Sequence, residues 1–143
     1  MPDNLRGRCN CGAISARFIG RPIQTRQCWC QQCRASAAGG PTHNAMFNTA
    51  DVQLSGEPGL WSYRAASGNT LTQAFCPHCG TPVYAQSSAR PHMMTFRLGF
   101  LSEPHGLAPE MAIWTDEKPD WALLDPALPA YPGQPPAPTP AKG

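Results

Sequence analysis

Seven cysteines in three tight clusters constrain this chain more than any other feature: Cys9-Asn10-Cys11, Cys28-Trp29-Cys30-Gln31-Gln32-Cys33 and Cys76-Pro77-His78-Cys79. Two thiolates one tight turn apart can both point at a single ion about 2.3 Å away, so these spacings suit tetrahedral Zn²⁺. An odd number of cysteines so spaced favours metal ligation in a reducing compartment over a disulfide framework. Gly12 and Gly80 follow their clusters directly and supply the backbone freedom that a knuckle turn requires.

A closed structural zinc site takes four protein ligands, whereas a catalytic one keeps a position free. The economical partition joins Cys9 and Cys11 to Cys76 and Cys79, tying the start of the chain to a late hairpin. It leaves Cys28, Cys30 and Cys33 around a second ion. Spacing alone does not force this choice, since Cys30, Cys33, Cys76 and Cys79 would make an ordinary zinc ribbon, but the first partition is the one favoured. An open site lowers the pKa of a thiol or water in its free position and polarises a carbonyl. Thiol addition to a carbonyl is the chemistry that follows, with Cys28, Cys30 and Cys33 as catalytic residues. In the structural alternative this cluster completes its shell with His43, His92 or another side chain and only holds the fold.

Between the clusters the pattern is that of short strands. Ile14 to Phe18 alternates apolar and polar residues with period two, and Gly20 and Pro22 end it. Ile23 to Gln27 reads as a strand that delivers Cys28, and a helical turn follows over 34–38. The runs Ala45 to Asn48, Val52 to Leu54 and Leu60 to Arg64, separated by turn signals, suggest an antiparallel meander. Leu71 to Phe75 and Thr81 to Gln86 flank the last cysteine pair, Met93 to Leu98 places Met94, Phe96 and Leu98 on one face, and Met111 to Trp114 forms a final strand. The class is all-β, with sheets too small to close a large core without metal. Trp61, Tyr63, Trp114 and Trp121 are expected mostly in the core. Most of the 17 prolines lie beyond residue 103. This divides the chain into a zinc-binding β domain over 1–131 and a proline-rich, flexible tail over 132–143.

The formal net charge of +2 disappears once thiolates bind two divalent ions, and only 14% of residues are charged, so charge gives no support to nucleic-acid binding. Residues 1–8 lack the apolar stretch of a signal peptide, and no run approaches the roughly 20 apolar residues of a membrane span. A soluble cytoplasmic protein is expected, without a membrane partner.

With its three clusters placed, the chain resembles the glutathione-dependent formaldehyde-activating enzyme family, which includes centromere protein V-like members. The resemblance covers roughly residues 6–131. It rests on Gly7-Arg8-Cys9-Asn10-Cys11-Gly12, Cys28-Trp29-Cys30-Gln31-Gln32-Cys33-Arg34, Phe75-Cys76-Pro77-His78-Cys79-Gly80-Thr81 and the stretch Ile113 to Trp121. It implies a β-tent fold of small antiparallel sheets with few helical turns, crosslinked by a structural zinc at Cys9, Cys11, Cys76 and Cys79. It also implies a second zinc at Cys28, Cys30 and Cys33, whose occupancy the sequence leaves open. The implied activity is that of an S-(hydroxymethyl)glutathione synthase, a carbon–sulfur lyase by class, with glutathione and formaldehyde, or a related thiol and small electrophile, as partners. A non-catalytic zinc-stabilised binding module of the same fold is the competing expectation.

Glutathione is anionic, so Arg34, Arg26 and Lys118 are candidates for its carboxylates, set against their plain reading as solvated charges. Trp29, flanked by two ligands, is a candidate floor of the site or a packing aromatic. His43, His92 and His105 lie in Pro- or Gly-rich loops and are expected at the surface, and His78 is expected to decorate its knuckle.

Overall fold

The computed structural model describes residues 4–136 of the 143-residue chain. Strand β1 (Asn4–Arg8) turns through the first cysteine pair into β2 (Ser15–Ile19), and β3 (Gln24–Cys28) leads into α1 (Gln31–Ser36), the one α-helix among the described residues. Then follow β4 (Thr42–Asn48), β5 (Val52–Ser55), β6 (Gly59–Arg64), β7 (Thr70–Phe75), β8 (Pro82–Ser87), β9 (Met93–Arg97) and the two-residue β10 (Ala112–Ile113). The helix has six residues, too few to be stable without the sheet beside it. Ser36 Oγ ties it there by donating to Gln73 Oε1 on β7 at 2.8 Å.

These strands build two sheets. A small one has the order β1-β2-β5, and a seven-stranded one runs β10-β3-β4-β9-β8-β7-β6. All pairings are antiparallel except that of β10 with β3. The meander expected over residues 45–64 is therefore broken up: β4 pairs with β3 and β9, β6 with β7, and β5 with β2 in the other sheet. Val52 and Leu54 find apolar neighbours only by packing with the small sheet against the common core. Gly56 makes that docking possible, because a Cβ there would collide with the carbonyl oxygen of Ala13.

The core lies between the sheets. Phe18 of β2 stacks on Phe47 of β4 with centroids 4.3 Å apart, and meets Phe96 of β9 edge-on at 4.8 Å. Ala45, Phe47, Met94 and Phe96 point into this core, while their alternating neighbours Asn44, Met46, Met93, Thr95 and Arg97 line a cavity on the opposite face of the large sheet. Neither face is simply solvated, and the second one carries the candidate chemistry.

The aromatic residues depart from expectation. Trp61 is 51% and Trp121 72% exposed, whereas Tyr63 and Trp114 are half-buried. Trp61 lies on the edge strand β6, where it stacks on Tyr63 at 5.0 Å. Trp121 lies in an irregular loop that no sheet covers.

Residues 129–135 lie back along β10. Ala112 N donates to Pro129 O, Tyr131 N to Ala112 O, and Trp114 N to Gly133 O, and Pro135 is buried. The expected domain boundary at 131/132 falls inside this strap, and residues 137–143 of the expected tail lie outside the described residues. Among the described residues no helix is long and apolar enough to cross a membrane.

Candidate functional site

The structure brings the seven sulfurs together as four and three. Cys9, Cys11, Cys76 and Cys79 form one group and Cys28, Cys30 and Cys33 the other, with all sulfurs of a group within 4.8 Å of one another. All seven are free thiols, and neither group includes a histidine.

The four-sulfur group is made by two facing knuckles. Cys9 N donates to Ile14 O and Gly12 N to Cys9 O; on the other side Cys76 N donates to Thr81 O and Gly80 N to Cys76 O. Gly12 and Gly80 have φ of +82° and +80°, the left-handed region that glycine enters without steric cost. Asn10 N donates to Thr81 Oγ1 and so joins the two turns. The Cys9–Cys11 and Cys11–Cys76 sulfur pairs are 3.7 Å apart. Four sulfurs arranged tetrahedrally at about 2.3 Å from one ion would lie about 3.8 Å apart, so this group fits a bound ion without rearrangement. Hydrogen bonds from the Thr81 hydroxyl and backbone hold the Cys79 thiol down to about 5, which favours the thiolate that a metal needs.

The three-sulfur group sits on the strand-to-helix turn after β3. Cys28 ends the strand, Cys30 is the N-cap of α1 with its sulfur accepting from Cys33 N at 3.4 Å, and Cys33 lies in the first turn. The backbone thus folds three thiols from six consecutive residues around one point. Hydrogen bonds from the Cys28 and Cys30 thiols hold Cys33 down to about 2, with the Arg97 charge and the Thr42 hydroxyl acting in the same direction. The same crowding, with burial added, pushes the Cys28 thiol far up. The crowding thus favours Cys33 over Cys28 as the thiol that gives up its proton first.

All three sulfurs of the trio line one cavity, whereas only Cys79 of the four-sulfur group borders one, a different cavity of about 690 Å³. The trio's cavity measures about 210 Å³ and is lined by Arg26, Asn44, Tyr63, Gln73, Arg90 and Arg97 among others, with no acidic side chain. It continues into a wider groove of about 660 Å³, and Cys30, Tyr63, Arg90 and Trp114 belong to both linings. Arg97 Nη1 donates to Asn44 Oδ1 at 2.6 Å. Burial lowers the Arg26 pKa and the neighbouring Arg90 charge lowers it further. Burial pushes the Tyr63 phenol up, reinforced by the Cys30 and Cys33 charges, so it stays protonated at neutral pH.

Of the four side chains singled out for substrate, only Arg26 lines this cavity. Arg34 Nε donates to Trp29 O at 3.1 Å, bracing the ligand turn from behind. Lys118 Nζ donates to Ala122 O at 2.8 Å and to Pro119 O at 3.2 Å, closing a C-terminal turn. Trp29 is buried away from the cavity with Ala112, Ala122 and Leu124, its Nε1 donating to Gln27 Oε1. His78 and His92 are exposed, and His43 is half-buried. His105 is buried rather than at the surface, because its Nδ1 accepts from Leu107 N. Both His43 and His105 line the other cavity, of about 690 Å³, which holds none of the three sulfurs, is bordered by Cys79 and shares Arg97 with the first.

Sequence reasoning missed Arg90, Arg97 and Tyr63. Arg97 carried a usable signal, since it continues the alternation Met93, Thr95, Arg97 opposite the core face of β9. Arg90 comes from a loop whose position no local pattern reveals.

A sequence profile of the family described as glutathione-dependent formaldehyde-activating enzyme matches residues 4–117. A Halomonas elongata protein, whose name assigns it provisionally as such an enzyme, is 24% identical over 127 residues, covering 85% of this chain and 81% of its own. A crystal structure of a Rhodobacter sphaeroides protein aligns with a TM-score of 0.54 at 23% identity, over 73% of this chain and 91% of that one. This structural likeness concerns the fold.

Proposed function

The chain belongs to the glutathione-dependent formaldehyde-activating enzyme family, and on that premise we propose that it joins the thiol of glutathione to formaldehyde at Cys28, Cys30 and Cys33. The observation that carries this reading is the division of the sulfurs: four make a complete tetrahedral donor set, while three leave one position for a further ligand and together line a basic cavity. The donor set suits zinc in both groups, structural in the first and catalytic in the second. A zinc ion held by the trio would lower the pKa of a thiol entering its free position, keeping that thiol nucleophilic at neutral pH.

The remaining work falls to the protein. The positive lining from Arg26, Arg90 and Arg97 draws an anionic thiol toward the trio. In the addition, the sulfur lone pair forms the carbon–sulfur bond, the carbonyl π pair moves onto oxygen, and that oxygen takes up one proton. The protonated phenol of Tyr63, which borders both linings, would then donate to the developing oxyanion. Arg34 and Lys118 act as braces, and Trp29 anchors the ligand turn from its far side. Seven unpaired cysteines suit a reducing compartment, and the cytoplasm is the location we assign.

Nuclear magnetic resonance exchange spectroscopy with glutathione and formaldehyde tests this reading. The zinc-loaded chain should accelerate hemithioacetal formation over the uncatalysed rate, and Cys30→Ser, which leaves the four-sulfur group intact, should abolish the acceleration. Equal rates with and without the zinc-loaded protein would leave a zinc-stabilised module with no role in this addition.

A further inference from the structure

Arg26 is 5% exposed, its Nε donates to Gln24 Oε1, and its Nη2 is buried without any hydrogen-bond partner. A guanidinium is permanently charged and presents five donors in a planar fork, so a buried edge left unmet is costly unless a ligand meets it. Gln24 supplies no countercharge. Nor does any carboxylate, since the one ion-pair contact among the described residues is between His105 and Glu103, in the other cavity. The trio does not balance the lining either: three thiolates on a divalent ion carry one net negative charge, against three guanidiniums. A planar anion with two acceptor oxygens matches the free edge of Arg26 in both charge and shape.

We propose that the inner cavity is a carboxylate subsite, in which Arg26, with Arg90 and Arg97 on the same lining, holds the carboxylate of a molecule reacting at Cys28, Cys30 and Cys33. This rests on reading the trio as the reaction centre. The carboxylate comes either from the thiol peptide, reaching in from the outer groove, or from a small aldehyde acid that takes the place of formaldehyde. The inner volume of about 210 Å³ is far more than formaldehyde needs and accommodates either group.

The test is isothermal titration of the zinc-loaded full chain with two unreactive probes, S-methylglutathione and glycolate, repeated with Arg26→Gln and Arg26→Lys. Binding of S-methylglutathione that weakens about tenfold or more in Arg26→Gln and partly recovers in Arg26→Lys assigns the carboxylate to the thiol peptide. The same pattern with glycolate assigns it to a small acid. If Arg26→Gln does not fold, as judged by circular dichroism and zinc content, Arg90→Gln takes its place, with a loss of at least about threefold expected. Absence of binding by both probes, or unchanged affinity in the folded variant, overturns the proposal. Neither probe can undergo the addition, so binding with no hemithioacetal catalysis would remove the proposed reaction and leave the subsite standing.

Discussion

Replacing Cys11 with serine should cost the metal-loaded chain more stability than replacing Cys30, and the difference can be worked from how much chain each ion encloses. Cys11 and Cys76 are 65 residues apart in sequence with sulfurs at 3.7 Å. The chain-entropy relation for a crosslink closing such a loop gives about 4 kcal/mol of destabilisation of the unfolded ensemble, against about 2 kcal/mol for the short loop from Cys28 to Cys33. The local contribution shrinks further, because three thiols within six residues can hold metal in the unfolded chain as well, and ligand bound to both states stabilises neither. Cys11 is exposed and Cys30 half-exposed, so neither substitution opens a cavity that would mask the comparison. The assay is urea unfolding followed by far-UV circular dichroism, at one fixed free-zinc concentration in a reducing buffer, with the zinc content of each variant measured so that the comparison is between chains that have lost the ion concerned. Cys11→Ser should fall below Cys30→Ser by about 2 kcal/mol, or close to 1 M urea in midpoint at an ordinary m-value. Equal losses, or a larger loss for Cys30→Ser, would show that the four-sulfur group does not clamp the two ends of the β domain.

The ring of Phe18 joins the two sheets through Phe47 and Phe96, and Phe18→Ala should lose about 3–5 kcal/mol in the same unfolding assay; a loss under about 1 kcal/mol would mean that the sheets are held by something else. Thr81→Val removes the hydroxyl, 3.2 Å from the Cys79 sulfur, that is the largest of several hydrogen-bonding causes holding this thiol down to about 5. Without that donor the thiolate is less favoured and protons compete for it at higher pH, so acid should strip metal from the four-sulfur group at a higher pH than in the parent. A chromogenic chelator titrated against pH reads the midpoint, and an unmoved or lowered midpoint refutes the assignment.

How much of this could be read from the sequence depended on whether the signal was local. The thiol clusters were legible because each knuckle is a few residues long and glycine-marked, and one of the two partitions the spacing allowed is the one the fold adopts. The strands from β5 to β9 were legible within a residue or two from alternation and turn residues. β1 was not, since Leu5 is its one large apolar residue and Gly7 is buried against the ring of Phe100 rather than through a side chain of its own. The assignment of β5 to the small sheet and the parallel pairing of β10 are long-range outcomes that no period announces. At the site, Arg26 was visible beside the cluster, whereas Arg90 and Arg97 reach it only because the sheet order places β9 next to β4. Arg34 and Lys118, chosen for charge and proximity in sequence, find backbone carbonyls first.

The strap along β10 puts Gln134 into the cavity wall, where its Oε1 accepts from Trp114 Nε1 at 3.1 Å. All other side chains of that wall come from residues 26–114. A ribosome therefore delivers both arms of the sulfur clamp and every arginine of the basin well before the piece that walls it in. In the finished protein, ion and substrate alike enter the basin by way of the wider groove, which shares Cys30, Tyr63, Arg90 and Gln134 with it.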